Sequence, residues 1–308
     1  MNIERLAAIL RQAAKDEIMP RFRRLDDGMV RSKANAFDLV TEADESAERA
    51  ITAAINAHSP NTVVIGEEAV SANPNLLNGH FEDRTVIYVD PVDGTYNFAS
   101  GLPLFAVMAA VVENGETVAG VIYDPMGDDF LMTERGCGTW QVFPDGRRVR
   151  QKFAEPTALA EMGGLASVSY LPAEVRSQVL GNLAKVKMFA NYRCAGHEYR
   201  MAAGGHAHFL MYNKLMPWDH VAGALMMREA GAYVARFDGS EYRPAIPTVA
   251  CLSRRARKTG KSCGAKFSPS RLLRRFWPRL RQHRSRGQSP APPCRLPCWR
   301  AHQAPYVR

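Results

Sequence analysis

Tyr88-Val89-Asp90-Pro91-Val92-Asp93-Gly94-Thr95-Tyr96-Asn97-Phe98 decides how this chain is read. The apolar run Thr85 to Val89 leads into it and predicts a buried β-strand. Asp90 and Asp93 follow, then Gly94 and Thr95. Pro91 fixes φ and carries no N–H, so the chain is expected to leave the strand there, in a set direction, onto a loop. Gly94 permits a tight turn or a close approach of backbone to ligand. Carboxylates held on one loop, with a free carbonyl such as that of Val92, suit Mg²⁺ or Mn²⁺. An Asp-Gly pair alone is most simply a turn. The whole string is far more specific than the pair.

Working outward, Val63-Val64-Ile65 reads as a strand running into Gly66-Glu67-Glu68. Far downstream stands Pro217-Trp218-Asp219-His220-Val221-Ala222-Gly223, followed by Glu229-Ala230-Gly231. Lys33 and Phe37-Asp38-Leu39-Val40-Thr41-Glu42-Ala43-Asp44 lie upstream. In this order and spacing, over residues from about 30 to 240, these motifs resemble the inositol monophosphatase family. The resemblance implies an α+β fold, a layered α/β/α/β/α sandwich. It implies a Mg²⁺-dependent, lithium-sensitive phosphomonoesterase that is commonly a homodimer.

By that resemblance, Glu67, Asp90 and the Val92 carbonyl hold one metal, and Asp90, Asp93 and Asp219 a second. Two or three Mg²⁺ ions are expected, with Mn²⁺ able to substitute. Thr95, paired with Asp44, orients and helps deprotonate the attacking water, so Glu67, Thr95 and Asp44 are the expected catalytic residues. Asp93, Gly94, Thr95, His197, Glu198 and Asp219 are expected to contact substrate, the backbone N–H groups of Gly94 and Thr95 meeting phosphate oxygens. Glu68 is expected beside the site or exposed. Attack is direct and in line, without a phosphoenzyme. The chemistry needs such a centre: a phosphate monoester dianion repels hydroxide, and its uncatalysed hydrolysis is among the slowest of biological reactions.

Several of these residues also have plainer readings. Thr41-x-x-Asp44 reads as a capping box opening a helix to about residue 58. Asp219 stands where a helix N-cap carboxylate would, and Trp218 is most simply a packing residue. His197 and Glu198 are equally a partly exposed helix start. One departure bears on substrate: where many relatives have an acidic residue seven positions before the Asp of the Trp-Asp motif, this chain has Tyr212. This tells against inositol phosphate itself and leaves open a different ester, including histidinol phosphate, a sugar bisphosphate or a 3′-phosphonucleotide.

The remaining elements follow from pattern. Ile3, Leu6, Ile9, Leu10, Ala13 and Ala14 mark an amphipathic helix that stops at Pro20. Phe105–112 and Thr117–123, joined through Asn114-Gly115, predict a hairpin. Strands are expected at 130–133, 139–143, 165–168, 186–190 and 206–212. Helices are expected at 172–183, 196–205 and from Trp218 to the cap at Gly231. Residues 1–145 thus form an α+β half carrying most of the metal ligands. Residues 146–252 form a more alternating half that completes the site.

The 308 residues carry a formal net charge of +9, which misleads. Residues 253–308 hold 16 Lys and Arg with no Asp or Glu, which leaves 24 basic and 31 acidic residues upstream. The body is acidic, and the segment beyond 252 is Arg/Pro/Cys-rich with no core pattern. It reads as a disordered or frame-shifted tail, or as a nucleic-acid-binding arm of a regulatory protein with little catalysis. No run of about 18 apolar residues appears, so no membrane span is expected. The first residues lack the apolar core of a signal peptide, and a cytoplasmic location is expected. The six Cys show no zinc spacing.

Overall fold

The computed structural model describes residues 1–244, apart from 27, 34, 80, 82 and 83. The expectations for 253–308 therefore lie outside the described residues.

Helix α1 (Ile3–Ala13) opens on an Asn2 cap, widens through a π turn and then tightens into a 3₁₀ turn as it reaches Pro20. A small hairpin, β1 (Val30–Ser32) and β2 (Leu39–Thr41), runs into α2 (Glu42–His58), and the capping box of Thr41 and Asp44 is present as read. Strand β3 (Val63–Gly66) leads directly into the short helix α3 (Glu67–Ala72). Strand β4 (Val86–Asp93) and helix α4 (Thr95–Ala99) carry the quoted stretch. Five antiparallel strands follow: β5 (Ala106–Glu113), β6 (Glu116–Asp124), β7 (Asp129–Glu134), β8 (Thr139–Val142) and β9 (Arg148–Arg150). The β5–β6 turn is Asn114-Gly115 with φ of +51° and +71°, the left-handed pair a two-residue hairpin demands.

The main sheet is ordered β3-β4-β5-β6-β7-β8-β9, and β3 and β4 pair in parallel. Its strands alternate cleanly. Ile87, Val89, Val107, Ala109, Val111 and Val121 face α1 and α2. Tyr88, Ala106, Met108, Ala110 and Ile122 face the opposite way. There they meet α6 (Ala195–Ala203) and α7 (Pro217–Glu229). Beyond α6 lies a parallel three-stranded sheet of β10 (Gly163–Ala166), β11 (Met188–Ala190) and β12 (Phe209–Met211). Helix α5 (Ala173–Leu183) closes it through Val179 and Leu183. The layers therefore run α/β/α/β/α, the expected sandwich.

Two points differ from the reading of the sequence. The chain does not leave the sheet at Pro91. Pairing to β5 shifts register between Asp90, opposite Met108, and Asp93, opposite Ala106, so one extra residue bulges out and the ladder resumes. Pro91 has no N–H to give the ladder, which is why the bulge falls there. Strand β9 is a further edge strand of three exposed residues paired to β8, and it has no apolar pattern to reveal it.

Candidate active site

The bulge sets Asp90 at the carboxyl end of β4, beside the end of β3 where α3 begins. Helix α7 packs across β4, β5 and β6 with its first turn at the same place. These three chain segments bring Glu67, Asp90 and Asp219 together, with one carboxylate oxygen from each lying within 4.8 Å of the others. Asp90 is fully buried, and the other two are partly so.

Lys33 flanks this cluster. Its Nζ donates to Glu67 Oε1 at 2.9 Å and to Glu68 Oε1 at 2.7 Å. Burial opposes its charge, but Glu67 and Glu68 outweigh that and raise its pKa. Glu68 is thus bound to Lys33, with a side chain 11% exposed. The Glu48 carboxylate, projecting from α2, accepts the Glu68 and Ala69 N–H groups at 2.7 and 2.8 Å. It caps the helix that presents Glu67. Reading of the sequence missed Glu48. Its signal was available: it falls one turn after Asp44 on the stripe that continues through Ile51 and Ile55, all buried.

Thr95 Oγ1 lies 3.0 Å from Asp44 Oδ1 and 3.0 Å from the Val92 carbonyl. Asp44 Oδ2 accepts from the Thr41 N–H at 2.8 Å and the Thr41 hydroxyl at 2.5 Å. Asp44 thus caps α2 and faces Thr95 at once. Gly94, at φ +91°, lets α4 start immediately after the strand.

Asp93 is placed differently from the other carboxylates. Its Oδ1 accepts from Ala195 N at 3.1 Å, and its Oδ2 from Gly196 N at 2.5 Å and Cys194 Sγ at 3.1 Å. It is tied to the start of α6 rather than gathered into the trio. His197 Nε2 meets the Phe105 carbonyl at 3.1 Å, and Glu198 accepts the Tyr192 N–H at 2.7 Å, so both are held by the scaffold. The buried Tyr212 hydroxyl lies against Glu198 without the geometry of a full hydrogen bond.

The electrostatics fit the donor set to a cation. Burial, then the charges of Glu67, Asp93 and Asp219, push Asp90 well above the ordinary carboxylate value. Burial, then Glu67 and Asp93, push Asp219 up to about 8. Burial also lifts Asp93 to about 6 against the hydrogen bonds from α6, and Asp44 to about 6 against those from Thr41. Several carboxylates so placed are costly as bare ions and favourable around a small hard cation.

Comparison with known proteins agrees. The family model described as the inositol monophosphatase family matches residues 2–268. A Thermotoga maritima relative named fructose-1,6-bisphosphatase/inositol-1-monophosphatase is 32% identical over 69% of this chain and 77% of its own length. Escherichia coli Nus factor SuhB is 31% identical over 69% of this chain and 77% of its own. The solved Thermotoga maritima IMPase superposes with a TM-score of 0.63 at 28% identity, covering 77% of this chain and 86% of that one. Fold and relatives together define a phosphoric monoester hydrolase. The chain belongs to the inositol monophosphatase family.

Proposed function

We propose that the chain hydrolyses a small phosphate monoester with divalent cations, Mg²⁺ foremost, held by Glu67, Asp90, Asp219 and the Val92 carbonyl. The convergence of three carboxylates from three segments within 4.8 Å carries this reading. Such ions supply a Lewis acid for phosphoryl oxygens and lower the pKa of a nearby water.

The chain's own residues do the rest. Thr95 Oγ1, fixed between Asp44 and the Val92 carbonyl, orients the attacking water and passes its proton toward Asp44. The N–H groups of Gly94 and Thr95 meet phosphate oxygens at the start of α4. Asp93 closes the substrate side by holding the first turn of α6, and it would join a second cation only on release from those bonds. His197 and Glu198 serve the same side through the segments they hold. Attack is in line, with no covalent enzyme intermediate. Tyr212 removes a carboxylate that would bind a ring hydroxyl, which favours a substrate other than inositol phosphate.

Purified protein is expected to release phosphate from at least one member of a panel of monoesters with Mg²⁺ or Mn²⁺, and from none in EDTA. The panel would span inositol, sugar, histidinol and nucleoside phosphates. Metal-independent release, or none from any ester, contradicts the reading. The basic residues of 253–308 and the SuhB relatives favour a second reading, a nucleic-acid-associated role. Salt-dependent RNA binding without phosphate release would select it.

A further inference from the structure

We propose that Phe37, Tyr96 and Arg193 form a platform at the rim of this site that binds a planar aromatic group on the substrate's leaving alcohol. The substrate class is then an aryl-bearing phosphate monoester, such as a nucleotide. This rests on the phosphatase reading above and deepens it.

Each of the three residues comes from a segment that also carries the site. Phe37 is four residues beyond Lys33, Tyr96 follows Thr95, and Arg193 precedes Cys194 and the backbone donors to Asp93. A Cβ built on Gly94 would stand 3.4 Å from the Arg193 carbonyl oxygen, so Arg193 borders the catalytic turn directly. The guanidinium lies 3.8 Å from the Tyr96 ring centroid and 5.6 Å from that of Phe37. One of its nitrogens donates to the Phe37 carbonyl at 3.0 Å, which locks the stack. The two rings stand 6.1 Å apart.

One feature is costly without a ligand, and a second holds the stack ready for one. Phe37 is 65% exposed, the most of any large apolar side chain among the described residues. Arg193 holds φ +53°, set locally by its N–H donating to Asn191 Oδ1 at 2.8 Å, so the turn itself fixes where the guanidinium projects. A flat ring laid on Phe37 covers that apolar surface, and the guanidinium edge adds cation–π attraction. A puckered or aliphatic alcohol gains neither.

The test uses the full chain with Mg²⁺ and two probes, benzyl phosphate and cyclohexylmethyl phosphate. Both leave as primary alcohols, so a difference between them reads the ring and not the leaving group. The benzyl ester is expected to have a KM about tenfold lower, the size of one base-stacking contact. Phe37→Ala and Arg193→Gly should each erase that preference. Arg193→Gly accommodates the positive φ, and a melting temperature within a few degrees of the parent's separates loss of the guanidinium from misfolding. Equal KM values in the parent, or a preference that survives both substitutions, overturn the platform alone. No phosphate release from either probe or from any panel ester overturns the phosphatase reading and the platform with it.

Discussion

Asp90→Asn is expected to cut kcat for phosphate release at least about a thousandfold while leaving the metal-free protein as stable as the parent, or more so. Asp90 is the buried member of the trio, with Glu67, Asp93 and Asp219 all raising its pKa. Asn keeps the shape and the acceptor that Val92 N–H uses at 3.1 Å. It loses the charge that its neighbours oppose. A structural carboxylate would behave the other way: removing it would cost stability and spare turnover. Asp44 shows the contrast, because its bonds to Thr41 cap α2 and any change there costs both. Phosphate assays and thermal melts in EDTA check the prediction. Near-parent activity, or a large drop in Tm, contradicts it.

The second large effect is on how stability depends on pH. Asp219 rises from an ordinary 3.8 to about 8, Glu68 to about 8 and Glu198 to about 7, each through burial first. Without metal the folded state therefore holds more protons than the unfolded one across the interval between those values. Stability then falls as pH rises, by up to ~1.4 kcal/mol per pH unit for each such proton. His197 and His220 run opposite: burial lowers both, His220 to about 4, so they cost stability as pH falls through 6.5. Above pH 6.5 the histidine contribution fades as the unfolded imidazoles lose their protons, and the carboxylates set the sign. In EDTA, Tm is expected to fall from pH 6.5 to 8. Mg²⁺ should flatten that slope by holding Asp90 and Asp219 ionised, so it raises Tm more at pH 8 than at 6.5. Calorimetric melts at the two pH values decide this. A metal-free Tm that rises with pH, or an equal Mg²⁺ shift at both, goes against it.

Much of this was legible in the sequence, and the reasons are local. The apolar run Thr85 to Val89 marked a buried strand, and β4 is buried throughout. The capping box marked α2, and Asn114-Gly115 marked the hairpin. The carboxylates stood out because Glu67, Asp90 and Asp219 each sit where a strand ends or a helix begins. The features that stayed hidden depend on groups far apart in the chain. Pro91 announced a break in hydrogen bonding, but whether the chain leaves or bulges depends on β5 across from it. The direction of the Asp93 side chain is set by N–H groups a hundred residues away. The stack of Arg193 on Tyr96 joins positions that no periodicity connects.

Isothermal titration of Mg²⁺ into the parent and the Asp90→Asn/Asp219→Asn double variant, at pH 7 in two buffers of different ionisation enthalpy, tests the central claim most directly. The parent is expected to bind saturably and to release protons, because its carboxylates are partly protonated until the ion arrives. The double variant is expected to show neither. Equal Mg²⁺ binding by both proteins, or no saturable binding by the parent, would contradict the account.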